Sequence, residues 1–239
     1  MGNFYIIGTP IGNLEDITHR SLRVLAELEL LICEDTRVTR RIYSHYHIPF
    51  PSRVCACFES REPKIIPFVL EELKKGTKVG LCSDSGMPCI SDPGYKLVQA
   101  VLDAGHQIDV IPGVTAVETA LVLSGLPTSS YTFKGFPPRK EGPTHHFLEM
   151  DKELPHTLIF YESPYRVLKF LEQAYRVLGD RCCAVCFEMT KKFERVFRGY
   201  ISDVIEALKT ETIKGEVTIV IAGNHPKFIR ENFSKKVEN

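Results

Sequence analysis

Two charged clusters and three loops of small residues hold the side chains of this sequence best suited to chemistry. In ICEDTRVTRR, Glu34 and Asp35 directly follow an apolar run and are followed by Arg37, Arg40 and Arg41. In EMTKKFE, Glu188 stands close to Lys191 and Lys192. Acids at the carboxyl end of a parallel strand lie where open α/β sheets bind ligands, and an acid or amine there can move a proton. The plain alternative for Glu34 and Asp35 is a solvated helix start. The loops are GTPIGN (8–13), SDSGMP (83–88) and IPGVTA (111–116). One glycine-bearing turn usually only reverses the chain. None of the three has the GxGxxG spacing of a dinucleotide site or the GK[ST] ending of a triphosphate loop. Together, with aspartates and no clustered lysine, they suit a ligand with a ribose and an ammonium group better than a polyphosphate.

Metal chemistry finds less support. Cys183 and Cys186 form a CxxC, but they lie in RCCAVCFEM, which reads as a strand, and residues three apart on a strand face opposite ways. Cys55 and Cys57 share a face without a convincing second pair, and the 8 histidines form no HExxH. The 8 cysteines therefore read as buried, reduced thiols in a cytosol, with no metal site expected. A formal net charge of zero excludes a global field that would recruit polyanions, so any such site must be a local patch. The N-terminus MGNFYIIGTP lacks the basic region and apolar run of a signal peptide, and no stretch is apolar enough to span a membrane. A soluble, cytoplasmic protein is the expectation.

The elements that must position these residues alternate. Strands are predicted at FYIIG (4–8), LLICE (30–34), VCACF (54–58), KVGLC (78–82) and QIDVI (107–111), with helices between them. That order argues a mostly parallel sheet with crossover helices. Asp92, followed by Pro93, reads as the cap of the helix after the fourth strand, KVGLC, and Ser163 before Pro164 as another cap. The second half has strands at YTFKG, TLIFY (157–161), CCAVCFEM, ERVFRGYI and GEVTIVIAG, and its adjacent β runs point to antiparallel pairing. The expected organisation is an N-terminal α/β domain over 1–124 and a C-terminal mixed α/β domain over 125–239, ending in a polar tail from Asn224 that frays.

YIIGTPIGNLEDIT, ICEDTRVTRRIYSHYHI, SDSGMPCISDPGYKLV, IPGVTA, LSGLPTSSYTFKGFPPRK, TLIFYESPYRVLKFLE, EMTKKFE and GEVTIVI, in this order over residues 4 to 223, resemble the RNA-modifying branch of the tetrapyrrole methylase superfamily. The resemblance implies two α/β domains with S-adenosylmethionine bound in a cleft between them, and a homodimer. The implied reaction is 2′-O-methylation of a cytidine ribose in the decoding region of 16S rRNA in the small ribosomal subunit. It also implies cofactor contacts at Ser83, Asp84, Ser85, Gly86, Thr115 and Ala116, joined by Phe160, Tyr161, Glu162, Gly215 and Glu216 from the second domain.

A ribose hydroxyl is a poor nucleophile, so a base or cation should assist it. Glu34, Asp35, Arg37, Lys191 and Lys192 are the candidates, with no single base picked out. RNA contacts are expected from Arg37, Arg40 and Arg41, from Lys134, Phe136, Arg139 and Lys140 in KGFPPRK, and from Arg195 and Arg198. Ordinary surface charge is the alternative for these cations. The branch usually reads SDAGTP and PGPSA where this chain has SDSGMP and PGVTA; Ser85 for Ala and Thr115 for Ser keep those positions small. The altered segment 55–63 and a shorter C-terminus bear on the RNA target. Two other activities fit the same scaffold: methylation of a tetrapyrrole or a protein side chain, and cofactor binding without turnover.

Overall fold

The computed structural model describes residues 2–230. It divides into two compact units, one through Thr115 and one from Ala116. The first unit is built from β1 (Phe4–Ile7), α1 (His19–Glu27), β2 (Leu30–Cys33), α2 (Thr36–His45), β3 (Arg53–Ala56), α3 (Glu62–Lys74), β4 (Val79–Cys82), α4 (Tyr95–Asp103) and β5 (Ile108–Ile111). Its sheet has the order β3-β2-β4-β1-β5, and the pairings are parallel.

This order follows from handedness. The chain steps in one direction from β1 to β2 to β3, then in the other from β3 to β4 to β5. Right-handed crossovers therefore put α1 and α2 on one face and α3 and α4 on the other. The packing agrees. Phe4, Ile6, Leu30, Ile32, Val79 and Leu81 meet Ile65, Val69, Leu97 and Val101. Their alternate neighbours Ile7, Leu31, Cys33, Cys82 and Ile111 meet Val24, Leu25, Ile42 and Tyr43. With both faces covered, each short strand can be apolar throughout, as LLIC is.

The second unit holds α5 (Ala116–Ser124), β6 (Tyr131–Phe133), α6 (Glu141–Glu149), β7 (Thr157–Glu162), α7 (Val167–Leu178), β8 (Cys182–Phe187), β9 (Arg195–Tyr200), α8 (Ile201–Lys209) and β10 (Val217–Ile221). Its sheet runs β6-β7-β10-β8-β9, parallel at β6–β7 and antiparallel elsewhere. Leu148, Phe170, Leu171, Val204 and Leu208 from the helices pack on Leu158, Phe160, Val185 and Ile219.

Several expectations change here. The division falls at 115/116 and not at 124/125, because α5 packs on β8, β9 and β10 of the second sheet. Asp92 does not cap α4. The cap position is Gly94, with φ +128°, and Glu62 of α3 accepts the Leu97 N–H in place of a local side chain. Ser163 likewise does not cap α7, which starts four residues later behind Arg166; its hydroxyl accepts from Tyr165 N in the preceding turn. The tail is anchored up to Arg230, whose guanidinium meets Asp180 and Asp203 and whose N–H donates to Asp180 O. The rest of the expected fraying tail lies outside the described residues.

Candidate active site

The three loops at the carboxyl ends of β1, β4 and β5 are locked to one another mainly through backbone. The Gly86 carbonyl accepts from Thr9 N (2.9 Å), Thr9 Oγ1 (3.1 Å) and Ser83 Oγ (3.1 Å). Gly86 turns its carbonyl inward at φ +83°, a conformation that favours glycine. A Cβ on Gly8 would lie 2.7 Å from the Cα of Gly113, so these two loops touch without side chains between them. Met87 stands where the family usually has threonine, and its sulfur accepts the Gly113 N–H at 3.2 Å. Neither Thr9 nor Met87 was among the site residues expected from sequence. A threonine inside a Gly/Pro loop, too small to pack and too polar to bury unpaired, was the available signal.

Acids crowd beside these loops. Glu34, directly after β2, has its proton affinity raised first by burial and then by the charge of Asp84. Asp84 is raised by burial and by Asp35. Asp92 is pushed up to about 6, mainly by burial, with Glu34 and Asp84 adding to it. Asp35 behaves differently. Its carboxylate caps α2 by accepting Arg37 N at 2.8 Å and pairs with the Arg37 guanidinium at 2.6 Å. Those hydrogen bonds hold it down to about 2, so Asp35 and Arg37 fit a helix start and not proton transfer. Glu34 and Asp92 also line a cavity of about 710 Å³ together with Phe58, Glu59, Tyr95 and Lys96.

The segment that follows SDSGMP is strained. Cys89 and Ser91 adopt φ +69° and +64°, and each such non-glycine residue costs roughly 1–2 kcal/mol. A side chain on Gly94 would strike Leu81 and Cys89 at 2.7 and 2.8 Å. The chain holds Asp92 on a tightly folded, uncomfortable loop, an arrangement characteristic of functional segments.

In the second unit the polar groups are paired. Lys191 Nζ lies 3.0 Å from both Glu188 Oε1 and Glu216 Oε2, and Glu188 Oε1 also accepts Glu216 N at 2.8 Å. Burial works to raise Glu188, but that N–H and Lys191 bring it below its ordinary range. Lys191 is raised, its two carboxylate partners outweighing burial. Gly215, at φ +84°, leaves the space that the Glu188 carboxyl fills. Glu162 is buried, accepts Ser163 N at 2.7 Å and lies 3.2 Å from Arg166. The Phe160 side chain is wholly buried among Phe147 and Phe170, so only its backbone can meet a ligand; Tyr161 instead packs on Phe133 and Phe136.

The cation predictions divide. Lys134 is no surface contact: its amine pairs with Asp151 at 2.5 Å, both nearly buried, and lies over the Phe147 ring. Arg195 is engaged by Glu211 and Thr212 O, and Arg198 donates to Leu123 O at the end of α5. Arg40 stacks on Phe50 at 3.9 Å. Arg41, Arg139, Lys140 and Lys192 are exposed, and Phe136 is 60% exposed beside two of them.

The candidate cofactor residues of the first unit, Ser83, Asp84, Ser85, Gly86 and Thr115, gather on neighbouring loops; Ala116, Phe160, Tyr161, Glu162, Gly215 and Glu216 belong to the second unit. Backbone stripped of Cβ atoms at Gly8 and Gly113, with the carboxyls of Asp84 and Glu34 nearby, fits a cationic cofactor that also carries ribose hydroxyls. Among the described residues no group of three or more His, Cys, Asp or Glu could hold a metal ion. Burial pushes the Cys57 thiol up to about 12 and that of Cys186 likewise, so neither is primed as a thiolate ligand. No helix among the described residues is long and apolar enough to cross a membrane.

Comparison with known proteins fits this geometry. The family model for tetrapyrrole (corrin/porphyrin) methylases matches residues 3–205. The ribosomal RNA small subunit methyltransferase I of Halalkalibacterium halodurans is 39% identical over 95% of this chain and 78% of its own length. Its namesake from Thermotoga maritima is 40% identical over 93% of this chain and 99% of its own. A crystal structure of uroporphyrin-III C-methyl transferase from Thermus thermophilus, complexed with S-adenyl homocysteine, shares the fold at TM-score 0.61 and 22% identity, over 92% of this chain and 97% of that one. The chain belongs to the tetrapyrrole methylase family of S-adenosylmethionine-dependent methyltransferases, on the branch of the ribosomal RNA small subunit methyltransferase I proteins.

Proposed function

We propose that this chain methylates the 2′-oxygen of a cytidine ribose in the 16S rRNA of the small ribosomal subunit, as a cytoplasmic homodimer. The observation that carries the reading is sustained identity, along nearly the whole chain, with relatives named for small-subunit rRNA methylation. When bound, the cofactor's sulfonium supplies both the methyl group and its leaving group. The chain's work is then to place the acceptor oxygen and manage its proton.

Among the candidate bases, Glu34 suits that proton best. Its affinity is raised, whereas that of Asp35 is held low by Arg37. Lys191, kept charged by Glu188 and Glu216, serves as a fixed positive charge and not as a base. Arg41, Arg139 and Lys140 are the exposed cations open to phosphates, with Phe136 open to a base.

The test is single-turnover methylation of small subunits lacking the modification, at saturating cofactor. Glu34→Gln should slow transfer about 100-fold, and Asp35→Asn by no more than a few-fold. Mass spectrometry of 16S rRNA from cells with and without the protein completes it. Identical rRNA from both would refute the reading.

A further inference from the structure

The cavity beside the cofactor loops has a composition that the cofactor does not explain. Phe58, in the turn after β3, leaves 47% of its surface open, and Tyr95, the first residue of α4, leaves 66%. Both rings line the cavity, and so do Glu34, Glu59, Glu62 and Asp92, opposed by Lys96 alone. Such a lining repels phosphate. It favours a flat, uncharged or weakly basic group that stacks on rings and offers hydrogens to carboxyls, as an unpaired amino-bearing base does. The cavity, at about 710 Å³, is within the range of small-ligand sites and has room for a nucleoside.

We propose that this cavity takes the base of the target nucleotide and reads it as cytosine, with Phe58 and Tyr95 against the ring and Asp92 on its Watson–Crick edge. The proposal rests on the RNA reading above and deepens it, leaving Glu34 for the ribose hydroxyl. A protonated carboxyl makes two bonds to cytosine. Its O–H donates to N3 while its carbonyl oxygen accepts an N4 hydrogen. Because N3 is basic, the shared proton makes that pair charge-assisted; the O4 of uracil, which is far less basic, cannot do the same. Asp92, with an affinity midpoint of about 6, can hold that proton near neutrality. Around it stand Glu34 and Asp84 from the ends of β2 and β4, Ser83 and Cys89 from its own loop, Glu59 and Glu62 from the turn into α3, and Lys96 of α4. Glu62 is engaged by Leu97 N, which leaves Asp92 the available reader.

The chain contains no tryptophan, so Phe58→Trp gives one fluorophore in the cavity. Single-stranded RNAs differing only in cytidine or uridine at the acceptor position should be titrated against it, and methyl transfer to both measured with otherwise unaltered protein. The expected result is quenching by the cytidine RNA at about tenfold lower concentration than by the uridine RNA at pH 6, with a similar preference in kcat/KM for transfer. That preference should shrink as pH rises from 6 to 8. Asp92→Ala should abolish it, and so should Asp92→Asn, whose neutral amide offers one donor and one acceptor to either base and has no proton to share with N3.

Transfer to cytidine RNA with equal quenching by both RNAs, and an unchanged preference in Asp92→Ala, would overturn the proposal and leave the RNA reading standing. Cytidine-selective quenching without methyl transfer would do the reverse. Neither signal would remove both.

Discussion

Beyond the ends of β2 and β4, Glu34, Asp84 and Asp92 form no ion pair among the described residues, and burial together with neighbouring acids raises all three. In the second unit, Glu188 and Glu216 share Lys191, and Asp151 has Lys134. The same residue types thus do different work. Carboxyls left without cations at strand ends bind a proton more readily and can exchange it with a substrate. Carboxyls given lysines are held in place and fix the backbone that carries them. Crowded acids cost the fold some stability, and paired ones support it.

That contrast can be broken or sharpened by substitution. The largest effect should come from Lys134→Ala, which leaves Asp151 buried without a partner. A loss of about 3 kcal/mol in urea unfolding is expected, largely recovered when Asp151→Leu is added. No loss would mean that the second unit's pairing is decorative. Next, Gly8→Ala forces a Cβ to 2.7 Å from rigid backbone at Gly113 and should cost about 2–3 kcal/mol and weaken cofactor binding. Gly215→Ala meets the movable Glu188 side chain, at φ +84°, and should cost about 1 kcal/mol.

Asp92→Asn should act in the opposite direction. A carboxyl whose folded affinity lies near 6, above its unfolded value of 3.8, disfavours the fold fully above pH 6 and not at all below 4. The variant should therefore gain about 1 kcal/mol at pH 7.5, with the gain fading as the pH falls through that window. A destabilised variant at pH 7.5 would contradict the crowding. The smallest effect belongs to the cations. Arg41→Ala should lower the salt slope of RNA binding by about 1 without touching stability, and Lys134→Ala should leave the slope unchanged.

The alternation of elements was legible in the sequence because the strands of the first sheet are mostly apolar runs bounded by glycine or polar residues, and each crossover helix carries its own period. What escaped was fixed by distant partners. Asp92 precedes a proline, a local signature of a helix cap, yet Glu62, 35 positions before Leu97, supplies the cap bond. KGFPPRK reads as an exposed basic loop, but Lys134 finds Asp151 on the far side of α6. Helix α5 is apolar on too many sides to reveal its sheet, hence the misplaced boundary. The loops around Gly86 were readable as a candidate ligand site from small residues and aspartates taken together, whereas the proton affinities of Glu34 and Asp92 depend on acids brought together only by the sheet.

Gly8 and Gly113 each occupy the volume that the other's side chain would need. Neither position can therefore be relieved by enlarging one and shrinking the other, since glycine is already the lower limit at both. The pair forms a mutational dead end. Directed evolution toward altered sulfonium analogues should find its usable variation at Ser85 and Val114, and not at this contact of bare backbone.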